Sequence, residues 1–147
     1  MKAQEWLQRS REAGDPIDGF SNAWRAFNNL YYPVNGPHER AKILRYLEES
    51  VNEELAGGLL ADHEARVNYL LGEPVIDMRG NGRDTAYHIE AFQVGNTYLD
   101  KLKELFMIIY QVRCNLEHGQ KSPSRDRDVE LCRSARPLVD RVVAENA

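Results

Sequence analysis

Apolar residues recur at helical spacing along most of the chain. In the segment 18–32, DGFSNAWRAFNNLYY, they stand three and four positions apart, at Phe20, Ala23, Trp24, Phe27, Leu30 and Tyr31. This spacing places them on one face of an amphipathic helix that packs on a core. Similar patterns predict helices over about 3–13, 38–54, 59–71, 85–92 and 98–116, and a last helix from 122–128 towards 143. We therefore expect an all-α protein, in which antiparallel helices surround one core.

Glycine and proline residues mark the expected breaks between these helices. The turn-forming segments GDP and PVNGP separate the first three helices. Gly57 and Gly58 are expected to weaken or interrupt the helical pattern in the middle of the chain. Residues 72–85 are the least helical part and predict a surface loop or a small hairpin. Pro137 is expected to kink or divide the last helix.

The bulk composition bounds the class of protein. The chain has 147 residues, of which 42% are hydrophobic and 29% charged, and its formal net charge is −4. This length suits one domain with a real core, which we assign to residues 1–147 as a whole. The acidic balance argues against a protein that coats nucleic acid by bulk electrostatics, although a local basic site remains compatible with it.

Sequence features of secretion and membrane insertion are missing. Residues 1–15 lack the apolar centre of a signal peptide, and the longest apolar and aromatic run, 105–110, is far shorter than a membrane span. The two cysteines, Cys114 and Cys132, do not make a disulfide framework. On these grounds we expect a cytoplasmic protein with reduced thiols and no membrane partner.

One charged residue interrupts the apolar seam of the helix predicted over 98–116. The seam positions alternate by three and four residues: Leu99, Leu102, Phe106, Ile109, Arg113 and Leu116. A buried guanidinium keeps its proton, and desolvating it without a partner costs on the order of several kcal/mol. Arg113 must therefore face a carboxylate, a wet cleft or a subunit interface. Glu117, four residues further on, is the local candidate for an ion pair.

A histidine follows Arg113 at the end of the same predicted helix. His118 precedes Gly119, which suits the first position after a helix, so the imidazole is expected near the carbonyl end of the helix. At about 100° per residue, five positions separate the two side chains by about 140° around the helix axis. We expect the pair to converge only across a two-fold axis, or if the helix unwinds after Leu116.

The chemistry of this pair suits the cleavage of RNA. An arginine can hold a phosphate through two hydrogen bonds and can stabilise the charge that develops on it. A histidine can transfer protons near neutral pH. Together they suit a metal-independent reaction in which a ribose 2′-hydroxyl attacks its own phosphodiester. Arg113 and His118 are therefore candidate catalytic residues, and Lys121, in the turn that follows, is a candidate substrate-binding residue.

The element Arg113-Cys-Asn-Leu-Glu-His118 resembles the motif of the HEPN superfamily, an arginine followed after four to six residues by a histidine. Its place at the end of a long helix, before a polar turn and a final helix, is also similar to that family, and so is the aromatic segment WRAFNNLYY. The resemblance implies a helical bundle that dimerises with the two motifs facing each other. It also implies that Arg113 and His118 are the catalytic pair.

The same resemblance implies two kinds of function. Many HEPN proteins are metal-independent endoribonucleases, often toxins or defence effectors, which implies RNA as substrate, an antitoxin or other regulatory protein as partner, and no cofactor. Others are inactive modules that bind RNA, nucleotides or proteins, and there Arg113 and His118 would only join the dimer. The family often has asparagine directly after the arginine. Here Cys114 takes that place and Asn115 follows, so Asn115 is the candidate for an auxiliary substrate-binding role.

Other kinds of site find less support in the sequence. Cys114, His118 and Cys132 lack the paired spacing of a structural zinc site. The segment 79–83, RGNGR, lacks the strand, loop and helix that surround a phosphate-binding loop. Residues 113–141 carry seven arginines and lysines against five acidic residues, which indicates either a phosphate-binding face or an ordinary solvated helix face.

Overall fold

Helices form wherever the apolar residues repeat at helical spacing. The computed structural model describes residues 2–117 and 126–146. Within these residues lie eight α-helices and no β-strand: α1 (Lys2–Glu12), α2 (Pro16–Tyr31), α3 (Glu39–Ser50), α4 (Glu53–Asp62), α5 (Glu64–Leu71), α6 (Ala86–Val94), α7 (Tyr98–Glu117) and α8 (Asp126–Asn146). The predicted all-α class is therefore confirmed.

The helices pack around one core that has α7 near its centre. α7 contacts α3, α4, α5, α6 and α8, while α2 packs between α1 and α8. The largest fully buried side chains come from five of the helices: Phe20, Phe27, Tyr31, Ile43, Leu47, Leu59, Leu70, Leu102, Leu105, Phe106, Ile108 and Ile109. The aromatic stripe of α2 and the apolar seam of α7 thus meet in the interior, and the described residues form a single domain.

The break between α3 and α4 lies earlier in the chain than predicted. Asn52 accepts a hydrogen bond from the Leu55 amide at 2.8 Å and so begins α4. α4 then continues through Gly57 and Gly58, where the sequence predicted a weak point. A Cβ atom on Gly57 would lie 2.9 Å from Cδ2 of Tyr98, so glycine lets α4 pack closely on the start of α7. Tertiary packing here outweighs the low helix propensity of glycine.

The start of α7 is capped from two directions. Thr97 Oγ1 accepts a hydrogen bond from the Asp100 amide at 3.0 Å. The carboxylate of Glu53, at the start of α4, accepts hydrogen bonds from the amides of Tyr98 and Leu99 at 2.8 and 2.9 Å. A carboxylate at this position satisfies amides that have no partner inside the helix, and it interacts favourably with the helix dipole. The cap also ties α4 to α7.

The segment between α5 and α6 closes into a small hairpin, one of the two alternatives predicted for it. Ile76 and Asp84 form an isolated antiparallel bridge. Gly80 and Gly82, at the tip, have φ angles of 77° and 76°, which glycine adopts freely and other residues rarely do. The hairpin packs against α7, where Asn115 is hydrogen-bonded to the backbone of Ile76 and Met78.

The last helix is continuous. α8 runs from Asp126 to Asn146 through Pro137, so the proline does not divide it. α7 and α8 are the longest helices, with 20 and 21 residues, and both carry charged residues along their length. In the described part of the chain, no helix combines the length and the apolar character that crossing a membrane requires.

Candidate functional site

Arg113 lies one turn before the end of α7, between two carboxylates. Its side chain is 19% exposed, with Nη1 3.1 Å from Oε1 of Glu39 and Nη2 2.8 Å from Oε1 of Glu117. Burial by itself would lower the pKa of the guanidinium, but the two carboxylates outweigh this effect and raise that pKa, so Arg113 stays a cation. The predicted ion pair with Glu117 is confirmed, and Glu39 of α3 supplies a second one.

Glu39 is held in place by two tyrosine hydroxyls. Tyr31 donates to Oε2 of Glu39, and Tyr110 donates to Oε1 at 3.1 Å. Asn28 in turn donates to the hydroxyl of Tyr31 at 2.9 Å. Burial, assisted by the neighbouring Glu39 carboxylate, raises the pKa of both tyrosine hydroxyls, so both remain protonated donors. This network connects α2, α3 and α7, and it positions the carboxylate that in turn orients Arg113.

Arg113 opens onto a cleft between α1, α2 and the end of α7. The cleft has a volume of about 370 Å³. Besides Arg113, its walls include two indole rings, two amides, a second guanidinium and an aliphatic side chain, from Trp6, Trp24, Asn28, Asn29, Arg25 and Leu116. Of the alternatives that the seam position left open for Arg113, a carboxylate neighbour and a cleft are therefore both present.

The residue after Arg113 is a half-buried thiol. Burial raises the pKa of Cys114, so its thiol is protonated near neutral pH. A protonated thiol is a poor nucleophile and a poor metal ligand. Cys132, the other cysteine, is fully buried in α8. In the described residues no three histidine, cysteine, aspartate or glutamate side chains come close enough together to hold a metal ion.

Asn115, the candidate substrate-binding residue, is built into the protein interior. It is 1% exposed. Its Nδ2 donates to the carbonyl oxygen of Ile76 at 2.8 Å, and its Oδ1 accepts from the Met78 amide at 3.1 Å and from Gln111 at 3.0 Å. Asn115 therefore holds the hairpin between α5 and α6 against α7. In this arrangement its amide is not placed to contact a substrate.

Of the four predicted site residues, the structure describes Arg113 and Asn115. His118 and Lys121 lie outside the described residues, 2–117 and 126–146. Arg113 and Asn115 are both described, and two positions along a helix place them about 200° apart around its axis. The structure accordingly places Arg113 at a cleft and Asn115 in the interior, so it does not bring these two residues together.

Sequence reasoning missed the residues that surround Arg113. Glu39 is 74 positions away in the chain, and no local pattern marks it as a partner. Trp6 lies in the first predicted helix, which carries no motif that would mark it as part of a site. Asn28 and Asn29 interrupt the aromatic stripe of α2 with two consecutive amides, and this interruption is the one signal that could have indicated a polar surface beside the core.

The arginines of α8 are engaged in ion pairs. Within the described residues the pairs are Arg127 with Glu73 at 3.2 Å, Arg133 with Glu130, Arg136 with Asp140 at 3.7 Å, and Arg141 with Asp62 at 3.0 Å. Each of these arginines already has a carboxylate beside it. For this helix the pairing therefore favours the solvated helix face over the phosphate-binding face.

Comparison with known proteins leaves the site to be interpreted from its own chemistry. The chain matched no model of a known protein family, no curated protein sequence and no solved structure. The geometry around Arg113 and the motif that contains it are therefore the basis for a functional proposal.

Proposed function

We propose that this protein is a metal-independent endoribonuclease of the HEPN type that acts as a homodimer, in the role of a toxin or defence effector. The observation that carries the proposal is the placement of Arg113. It is a cation oriented by a fixed carboxylate, it opens onto a polar and aromatic cleft of about 370 Å³, and it stands five positions before His118. An RNA phosphate is the ligand that best matches this combination.

The two carboxylates around Arg113 suit different roles in phosphate binding. Glu117 is 56% exposed and belongs to the same helix, so a phosphate can replace it at little cost. Glu39 is anchored by the hydroxyls of Tyr31 and Tyr110, so it keeps the guanidinium oriented during that exchange. We assign Arg113 to binding the scissile phosphate and to stabilising the charge that develops on it during attack.

His118 would supply the proton transfers of this reaction. As general base it takes the proton of the ribose 2′-hydroxyl, whose oxygen attacks the adjacent phosphorus. The bond to the 5′-oxygen of the next nucleotide breaks, and that oxygen leaves with a proton from a general acid. The products are a 2′,3′-cyclic phosphate and a 5′-hydroxyl, with no oxidant or metal consumed. Because about 140° separates Arg113 from His118 on a regular helix, a two-fold partner would supply one of them.

A second candidate function is a catalytically inactive module that binds RNA, a nucleotide or a protein such as an antitoxin. The observation that favours it is the double ion pair of Arg113, because two carboxylates already neutralise the charge that a phosphate would need. In that case Arg113 and Glu39 would mainly stabilise the domain and its dimer. The two candidates make opposite predictions for RNA cleavage.

A cleavage assay separates the two candidates. Wild-type protein, Arg113→Gln and His118→Ala are each incubated with RNA in the presence of a chelator. Cleavage that survives chelation and is lost in both variants supports the nuclease. An Arg45→Gln variant serves as control, since Arg45 is exposed and pairs only with Glu49 in the described structure. If wild type and His118→Ala behave identically, the nuclease proposal fails, and RNA binding without cleavage supports the inactive module.

Mixed dimers test whether the site is shared between two protomers. If each site takes Arg113 from one protomer and His118 from the other, a dimer of Arg113→Gln with His118→Ala retains one intact site. Equal mixing of the two inactive variants, followed by subunit exchange, should then restore about a quarter of the wild-type activity. No recovery after confirmed exchange would contradict this shared site. A strictly monomeric protein at micromolar concentration would contradict it as well.

A further inference from the structure

The cleft beside Arg113 contains both tryptophans of the chain. The sequence has two, Trp6 and Trp24, and both line this cleft. The guanidinium groups of Arg9 and Arg25 lie 5.4 and 4.9 Å from the centroid of the Trp6 ring. The wall formed by α1 and α2 thus combines flat aromatic surface with positive charge, the two features that proteins use to hold a single-stranded nucleic acid.

Polar groups of the cleft have unused hydrogen-bonding capacity. Trp24 is 3% exposed, and its buried Nε1 has no hydrogen-bond partner among the described residues. A buried donor without a partner is uncommon, because it loses its contact with water and gains nothing in return. Trp24 is one of the residues that line the cleft, so this unpartnered donor belongs to the cleft wall.

The two asparagines of the cleft offer the complementary capacity. Asn28 donates to the hydroxyl of Tyr31, and Asn29 donates to the carbonyl oxygen of Arg25 at 2.9 Å. In the described structure no donor is directed at the amide oxygen of either asparagine, so both oxygens can accept from a ligand. The cleft therefore offers two acceptors beside flat aromatic surface, and the unpartnered N–H of Trp24 lies buried in the same wall. The edge of a nucleobase carries N–H groups that can donate to such acceptors.

We infer that this cleft binds a nucleobase of single-stranded RNA, with the phosphate of the same nucleotide at Arg113. The volume of about 370 Å³ lies in the range of small-ligand sites and is suited to one base rather than to a protein segment. The inference rests on the proposed function, because it takes Arg113 as the phosphate ligand. It adds base recognition, which gives the cleavage a preference for particular nucleotides.

Tryptophan fluorescence tests the inference directly, since both emitting side chains line the cleft. The wild-type protein is titrated with each of the four nucleoside 3′-monophosphates and, separately, with inorganic phosphate and ribose 5-phosphate. We expect a saturable change in emission for the nucleotides, with affinities that differ among the bases, and a weaker response or none for the two compounds without a base. Equal responses to all six compounds, or no response to any, would overturn the inference.

Matched variants locate the binding. Asn29→Ala removes one acceptor of the cleft and should lower the affinity for the preferred nucleotide about tenfold. Asn68→Ala makes the same change on an exposed position of α5, away from the cleft, and should leave the affinity unchanged. Circular dichroism and thermal melting of both variants verify that the fold is retained. Equal affinities of a folded Asn29→Ala protein and the wild type would place the base elsewhere.

The outcomes for base binding and for cleavage are independent. Base-dependent fluorescence changes in a protein that never cleaves RNA would support the nucleobase site and contradict the nuclease proposal. If the wild type cleaves RNA, His118→Ala does not, and nucleotides cause no change in fluorescence, the nuclease proposal is supported and the nucleobase site is contradicted.

Discussion

The molecule has one arginine–carboxylate site at the end of α7 and another in the hairpin before α6, and opposite partners are buried in the two sites. At the end of α7 the cation is sequestered: the Arg113 side chain is 19% exposed, and its partners Glu39 and Glu117 are 30% and 56% exposed. In the hairpin before α6 the anion is sequestered: the side chain of Asp77 is 3% exposed, while that of Arg79 is 51% exposed.

The two sites also differ in how far apart in the chain their partners lie. Asp77 receives its hydrogen bonds from within the hairpin, from the amide and guanidinium of Arg79 and from the amide group of Asn81. Arg113 depends on Glu39, which another helix supplies. A local pair of this kind closes a turn, whereas a pair between distant segments exists only after the domain has folded. We infer that the hairpin pair of Asp77 and Arg79 serves stability, whereas the site at the end of α7 holds the Arg113 cation beside a cleft.

We expect the largest effect on the rate of RNA cleavage, which should depend on Arg113 and not on Arg79. Arg113→Lys keeps the charge but loses the planar two-point contact with phosphate, so we expect RNA cleavage to fall about 10²–10³-fold. Arg79→Lys makes the same change at the hairpin and should leave the rate close to that of the wild type. Initial rates on one RNA substrate measure both. Comparable losses of cleavage rate in the two variants would contradict our assignment of different roles to the two sites.

For stability, we expect the larger loss at the hairpin, when the carboxylate of Asp77 is removed, and the smaller loss when that of Glu117 is removed. Asp77→Ala removes the acceptor of several hydrogen bonds inside the hairpin and should lower the free energy of unfolding by about 2 kcal/mol. Glu117→Ala removes an exposed partner and should cost less than about 1 kcal/mol. Urea denaturation of both variants gives the comparison. A larger loss for Glu117→Ala would reverse our assignment of the stabilising site.

Part of the loss of stability in acid should come from the hairpin. The hydrogen bonds from Arg79 hold the pKa of the Asp77 carboxyl well below its usual range. A carboxyl whose folded pKa is depressed stabilises the fold at pH values above its unfolded pKa, about 3.9, and this contribution is lost as the pH falls below it. The melting temperature of the wild type should therefore drop more steeply below about pH 4 than that of Asp77→Asn. Parallel curves for the two proteins would exclude Asp77 as the cause.

The smallest effect concerns the exchange of Glu117 for a phosphate. Glu117→Gln frees one side of Arg113, so we expect the affinity for RNA to rise about two- to fivefold, and less at high salt. Glu49→Gln is a matched control, because Glu49 pairs with Arg45 at the same helical spacing and is also 56% exposed. Fluorescence anisotropy with a labelled RNA measures both affinities. A weaker affinity in Glu117→Gln would indicate that Glu117 orients Arg113 instead of competing for it.

The sequence predicted those features that depend on local periodicity. The seam of α7 could be recognised because buried positions repeat every three and four residues, and Arg113 was conspicuous in it for the same reason. Its inward direction followed from the spacing, and so did the ion pair with Glu117, which is one helical turn away. The candidate residues His118 and Lys121 remain predictions, as do the dimer and the RNA substrate.

Features that depend on distant contacts could not be predicted in this way. Glu39 becomes a partner of Arg113 only because α3 packs beside α7. Gly57 lies inside a helix because Tyr98 packs against it, although its propensity predicted a weak point. For Asn115, the motif gave the position along the chain, but the helix geometry turned its side chain into the interior towards Met78.

The carboxylate cap on α7 bears on how this scaffold can diversify. Glu53 anchors the start of the helix, about 22 Å from Arg113 at 1.5 Å per residue. The position of α7 is therefore established at the end remote from the cleft. Substitutions of Asn28, Asn29 or Trp6 can change the walls of the cleft while this anchor remains intact. The domain is accordingly a suitable scaffold for library selection at the cleft that we propose as a nucleobase site.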